Sequence, residues 1–308
     1  MIGSAAVITF PPPMLGERFG SFKAVATLGA GTMGEVFLAE HQRIERRAAI
    51  KVLVPEGTRN AAMMRRFFIE ARAISLIHHP GIVEVYDCDV HRNGRAYIVM
   101  EYLDGESLAS RLEKRRALPW TTACRIARLV AEAIGAAHDK KIIHRDLKPE
   151  NVFLLGGADW PQPAEVKVLD FGVAKLLDGD DAGGPATTAG HILGTPEYMS
   201  PEHCSGARVD HRSDVYSLGC MLFEMVAGTP PFSDGSVRDL LTSQKFRTPP
   251  PVSELNAETP PWLDRLVTRM LRKDPDQRPQ AMVEVAQTLA AADDARPAAT
   301  DTAGERVH

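Results

Sequence analysis

Three apolar patterns organise this chain. Glu35-Val36-Phe37-Leu38-Ala39, the run around Lys51, Tyr97 to Leu103 and Val166 to Leu169 are short and rich in β-branched or aromatic residues, which predicts strands. From Ala61 to His78 the apolar residues Phe67, Ala71, Ile74 and Ile77 recur as on one face of a helix, and Glu70 shares a face with Ile74. Thr121 to Lys140 reads as a second amphipathic helix, rich in alanine. A third pattern covers Val215, Leu218, Met221, Leu222, Phe223, Met225 and Val226, apolar on most sides, and predicts a helix buried all round with Ser213 as its N-cap. Ending at Gly228 and carrying Asp214 and Glu224, it falls short of the roughly 20 apolar residues of a membrane span.

The candidate chemistry sits between these elements. His144-Arg145-Asp146-Leu147-Lys148-Pro149-Glu150-Asn151 places a carboxylate, an ammonium and an amide in one loop, and Asp170-Phe171-Gly172 follows a predicted strand. Gly29, Gly31 and Gly34 make a G-x-G-x-x-G run after Leu28. The residues after that run read as a strand, whereas a dinucleotide-binding turn opens a helix, so the run reads as a hairpin lid whose N–H groups can approach phosphates. Taken singly, each feature has an ordinary reading. A loop aspartate is most often a turn former, a strand lysine faces solvent, and Glu70 could pair with Arg66 for only a few tenths of a kcal/mol.

Taken together and in this order, the motifs resemble the protein kinase family, in particular its bacterial serine/threonine branch, over residues 17 to 290. The resemblance implies an α+β, bilobal fold, with a small β-rich N-lobe carrying one helix (17–100), a hinge (101–104) and a larger, mainly helical C-lobe (105–290). It implies that the lid residues Gly29, Ala30, Gly31, Thr32, Met33 and Gly34 cover the phosphates of ATP. Lys51, fixed by Glu70, would meet the α- and β-phosphates. Leu28, Val36, Ala49 and Phe153 would sandwich adenine, with Met100 behind it and the Glu101 C=O and Leu103 N–H as its polar anchors.

By the same resemblance Asp146 takes the proton of the acceptor hydroxyl and Lys148 neutralises the transferred group. Asn151 and Asp170 are few, hard oxygen ligands that suit Mg²⁺. Lys148 and Thr195 mark the serine/threonine class, Thr195 matching a threonine that contacts the catalytic aspartate. Thr187 and Thr188, in a Gly/Ala/Asp-rich stretch, are candidates for an activating phosphorylation read by Arg145, in trans within a transient homodimer. The partners implied are proteins with serine or threonine acceptors.

Composition narrows the field further. The 308 residues are 44% hydrophobic and carry a net charge of −4, which gives no electrostatic footprint for nucleic acid. Cys88, Cys124, Cys204 and Cys220 show no zinc-ligand spacing and fit a reducing, cytoplasmic setting. Met1 to Phe10 lacks a basic signal-peptide start, and residues 1–16 read as a flexible extension. The Ala/Asp-rich residues 291–308 read as a disordered tail. Gly156 to Glu165 is longer than the family pattern, a docking bump or neutral drift. Glu202 is expected to pair with Arg278. Two other classes stay open: a nucleotide-gated scaffold without catalysis, and a small-molecule phosphotransferase of related fold.

Overall fold

In the computed structural model the described residues are 14–31, 34–58, 60–156, 165–172, 187–188, 191–192, 195–233 and 235–294. The first lobe is a six-stranded antiparallel sheet in the order β1-β2-β3-β4-β6-β5. Its strands are β1 (Arg18–Phe19), β2 (Phe22–Ala30), β3 (Gly34–His41), β4 (Arg47–Leu53), β5 (Val85–Val90) and β6 (Ala96–Glu101). A one-turn helix α1 (Pro55–Thr58) and the long α2 (Ala61–Ser75) join β4 to β5. The lobe expected to carry one helix therefore has a short second one.

The register explains how this sheet serves two purposes. Val36 lies opposite Lys51, Leu38 opposite Ala49, Ala49 opposite Met100 and Lys51 opposite Ile98. Directly paired residues share a face, so this set looks one way. The intervening Phe37, Ala39, Ala48, Ile50, Val52, Tyr97 and Val99 look the other way and close a core with Phe19, Ala24 and Met14. Met14 is 3% exposed, so it is packed, although it lies inside the stretch expected to be a flexible extension. A single apolar side chain fitting this core is the physical reason. On the opposite face α2 lays Phe67 and Ala71 against Leu53, Ala96 and Ile98. Asn60 caps it by accepting from Ala62 N and Met63 N.

The second lobe is helical apart from a small sheet of β7 (Gly105–Ser107), β8 (Val152–Leu155) and β9 (Val166–Val168) and the two-residue pair β10 (Thr187–Thr188) and β11 (His191–Ile192). Its helices are α3 (Leu108–Arg115), α4 (Trp120–Asp139), α5 (Pro201–Cys204), α6 (Arg212–Ala227), α7 (Val237–Phe246), α8 (Pro261–Met270) and α9 (Met282–Asp294). All of α6 except Arg212, Glu224 and Ala227 is buried, and one apolar cluster joins it to α4, α8, α9 and the sheet strands. At roughly 1.5–3 kcal/mol for each large apolar side chain buried, this cluster is the chief source of cohesion in the lobe.

Two expectations shift here. The α6 N-cap position belongs to His211, and Ser213 lies inside the helix, its hydroxyl donating to Glu202. The last helix continues to Asp294, beyond the boundary set at 290, because alanines extend a helix as readily as they populate a tail. The Glu202–Arg278 pair forms as expected, with the fully buried guanidinium giving 2.8 Å bonds to each carboxylate oxygen.

Candidate active site

The face of β3, β4 and β6 that carries Val36, Ala49, Lys51 and Met100 forms the roof of a cleft. Lys51 Nζ lies 2.8 Å from Asp170 Oδ1 of the second lobe and 3.5 Å from Glu70 Oε1 of α2. The amphipathic pattern of α2 turns Glu70 inward beside Phe67, Ala71 and Ile74, so the alternative pairing with Arg66 in solvent is not the one adopted. The lid closes as a hairpin, with Gly31 N donating to Gly34 O at 2.8 Å and Gly34 N to Gly31 O at 3.3 Å. A Cβ on Gly34 would stand 2.3 Å from the Val52 carbonyl, whereas Gly29 and Gly31 border open space. One glycine is needed for close packing, and the other two leave room for a ligand over the backbone. Thr32 and Met33 lie outside the described residues.

The floor is the loop from His144 to Asn151. Asp214, at the start of the buried α6, accepts from His144 N at 2.8 Å and Arg145 N at 2.9 Å, and its Oδ2 meets His138 Nε2 at 2.7 Å. The same loop is tied to the segment around Asp170: Gly172 N donates to His144 O at 2.8 Å and Leu169 N to Asn151 O at 2.8 Å. His144 Nε2 lies 3.0 Å from Leu169 O, its Nδ1 takes Asp146 N at 3.3 Å, and its ring stacks on Phe171 at 4.6 Å. Arg145 and Asp170 take left-handed backbone angles, φ 65° and 46°. Such angles cost a non-glycine residue about 1–2 kcal/mol, and these hydrogen bonds hold them in place.

Charge in the cleft follows from burial and neighbours. Burial alone would lower the Lys51 pKa, but Asp170 and Glu70 outweigh it and hold the ammonium charged. Burial raises Glu70, partly offset by Lys51 and reinforced by Asp170. Burial lowers His144, which matches its contacts: the Leu169 carbonyl needs an Nε2–H, and the Asp146 N–H needs a bare Nδ1. Burial would raise Asp214, but the hydrogen bond and charge of His138 carry it below the usual carboxylate range.

Asp146 and Lys148 stand at the cleft floor, 3.4 Å apart. Thr195, expected against Asp146, accepts from Lys148 Nζ at 3.2 Å. Asn151 Nδ2 donates to Asp146 O at 2.9 Å, which leaves its Oδ1 as the acceptor for a ligand. Asp170 is 48% exposed. Three carboxylates, Glu70, Asp146 and Asp170, face two ammoniums, and the surplus negative charge together with two hard oxygens fits a magnesium ion completed by water and phosphate.

The residues expected to form the hinge and to receive adenine lie along β6 and β8. Met100 packs against both lobes, Leu103 follows β6, and Phe153 lies opposite Ser107. The Glu101 side chain turns aside to accept from Lys167 Nζ and Glu84 N. Of Thr187 and Thr188 only the strand backbone is described, and the rest of 178–190 and 157–164 lies outside the described residues. Asp214 is the functional residue that motif reading missed. Its signal was a carboxylate in a helix apolar on most sides, which must find partners once buried. A cavity of about 590 Å³ opens between α4 and α9, lined by Gly135, His138, Met282 and Ala286. Lys51, Glu70, Asp146, Lys148, Asn151 and Asp170 do not border it.

A β-rich lobe over a helical one, with a lysine, two aspartates and an asparagine converging between them, defines a two-lobed phosphoryl-transfer fold. The sequence profile of the protein kinase domain matches residues 22–289, and the chain belongs to that family. It is 41% identical over 277 residues to serine/threonine-protein kinase Pkn1 of Myxococcus xanthus, covering 89% of this chain and 38% of that protein. It is 37% identical over 265 residues to serine/threonine-protein kinase PknB of Mycolicibacterium smegmatis, covering 85% and 41%. The chain thus spans about two fifths of the length of these curated relatives. The kinase domain of Mycobacterium tuberculosis PknI has a similar structure, with a TM-score of 0.68 and 28% identity over 90% of this chain and 98% of that one. Membership of the family implies use of ATP and Mg²⁺ in general. No helix among the described residues is long and apolar enough to cross a membrane.

Proposed function

We propose that the chain transfers the γ-phosphoryl group of Mg·ATP to serine or threonine hydroxyls of proteins. The observation that carries this reading is the meeting of Lys51, Glu70 and Asp170 across the cleft, directly above the loop of Asp146, Lys148 and Asn151. Lys51, held charged, orients the α- and β-phosphates, and the open backbone at Gly29 and Gly31 lies over them. Leu28, Val36, Ala49, Met100 and Phe153 receive adenine, with polar anchors on the backbone of Glu101 and Leu103. Asn151 and Asp170 would hold magnesium, which would supply positive charge to the phosphate oxygens.

Asp146 accepts the hydrogen bond of the acceptor hydroxyl and takes its proton, while Lys148 stabilises the charge spread over the transferred group. Little covalent help is asked of the protein; alignment and charge account for the rate. The named similarities to bacterial serine/threonine-protein kinases and the Lys148–Thr195 contact support the hydroxyl-amino-acid class. Phosphorylation of Thr187 or Thr188 in trans would act on the same loop through Arg145.

The test is incubation with Mg·ATP carrying labelled γ-phosphate and a basic protein acceptor, followed by phosphoamino-acid analysis. Phosphoserine or phosphothreonine is expected. Nucleotide binding without any transfer would support the scaffold reading, and transfer to an aminoglycoside but not to protein the small-molecule one.

A further inference from the structure

The turn that flanks an incoming acceptor is held from behind by a residue with no part in the chemistry above. Pro196, Glu197 and Tyr198 form a single 3-10 turn immediately after Thr195, the residue that contacts Lys148. A hydroxyl docked on Asp146 must carry its own flanking backbone past this turn. A small cavity between them is lined by Asp146, Lys148, Thr195, Tyr198 and Met199.

All three carbonyls of the turn accept from buried side chains. Gln244 of α7, with 0% exposure, donates to Pro196 O at 3.1 Å and to Glu197 O at 2.6 Å. Ser217 Oγ of α6 donates to Tyr198 O at 2.8 Å. The direction of the Gln244 amide is forced. Lys273 Nζ can only donate, and it does so to the Tyr216 hydroxyl at 2.9 Å. That hydroxyl then sends its hydrogen to Gln244 Oε1 at 2.6 Å, which leaves the amide NH₂ for the two carbonyls.

We infer that Gln244 is a positioning residue for the protein acceptor, fixing the 195–198 turn so that Thr195 stays against Lys148 and the acceptor chain meets a preformed wall. It touches neither nucleotide nor reacting atoms and acts through the turn. The inference rests on the proposed roles of Asp146 and Lys148. Loss of the Gln244 amide takes the side-chain donor from both half-buried carbonyls, leaving Pro196 O only the 3.3 Å bond from Met199 N, and the turn relaxes before the cleft does.

Gln244→Glu keeps the shape and the acceptor for Tyr216 but sets a carboxylate against two carbonyls. Gln244→Met keeps the volume and removes both donors. Steady-state phosphorylation of a basic protein by the whole chain is measured with acceptor varied and then with Mg·ATP varied. The KM for acceptor is expected to rise about tenfold in both variants, and the KM for ATP to stay within about twofold. A partly unfolded population lowers Vmax and leaves both KM values unchanged, and that result overturns the inference, as does an equal rise of the two. Should Gln244→Glu not fold, Gln244→Met decides alone. Absence of transfer by the unsubstituted chain would show that the underlying reading had failed, and the inference would fall with it.

Discussion

On the floor of the cleft, the N–H groups of His144 and Arg145 end on one fully buried carboxylate, Asp214. On the roof, Lys51 divides itself between Glu70 at 3.5 Å and Asp170 at 2.8 Å, and the lid glycines Gly29 and Gly31 border open space. The floor is a hydrogen-bond set converging on one carboxylate, anchored at the start of α6, the most buried helix among the described residues. The roof is a looser set, one ammonium shared between two carboxylates beneath an open stretch of lid backbone. The floor is thus set by the fold itself, whereas the roof contacts are the ones that a bound nucleotide is expected to complete.

Four substitutions or titrations press on that contrast. Asp146→Asn should reduce transfer by roughly a thousandfold or more while ATP affinity and melting temperature stay close to those of the parent chain, because it removes proton acceptance and no packing. Single-turnover transfer with a protein acceptor measures this. Asp214→Asn should cost about 3 kcal/mol in chemical denaturation and about a hundredfold in transfer, since an NH₂ would face donors in a buried site. If its loss of activity came with unchanged stability, the anchoring role would be wrong.

Glu70→Gln should lower kcat/KM for ATP by about tenfold, equivalent to about 1.4 kcal/mol, without loss of fold stability. The sign follows from burial: the Glu70 pKa is raised in the folded state, so its carboxylate form costs stability above the unfolded pKa, and a neutral amide removes that cost. Equal losses of stability in Glu70→Gln and Asp214→Asn would erase the difference between roof and floor. Smallest of all, the His144 ring should protonate only below the ordinary imidazole value of ~6.5, and the neutral ring should carry its proton on Nε2. Burial lowers its pKa, so folding is favoured above that ordinary value and weakened as pH falls below it. Nitrogen chemical shifts report the tautomer and the titration, and a ring that protonates above the ordinary value, or carries its proton on Nδ1, would contradict the Asp146 N–H contact.

Much of the roof and floor was legible because motif residues lie close together in the chain or on one periodic face. Lys51 in a β-branched run, Glu70 on an apolar helix face and Asp170 after Val166–Val168 all occupy the positions their patterns indicate. What escaped was set by contacts between distant segments. Asp214 looked like a helix start, and only the convergence of His138, His144 and Arg145 shows it to be an anchor. Gln244 lies on α7 with nothing in its neighbourhood to announce that it faces Pro196 and Glu197. Met14 and the alanines before Asp294 were misjudged because local composition does not report whether a core has room for one more side chain or a helix for one more turn.

The most direct measurement is amide hydrogen exchange resolved at single residues, with and without Mg·ATP. The account predicts that the His144 and Arg145 amides exchange only through global unfolding even without nucleotide, while Gly29, Gly31 and Gly34 exchange fast until Mg·ATP slows them. Fast exchange at His144 and Arg145 in the free protein, with protection gained only on nucleotide addition, would contradict it.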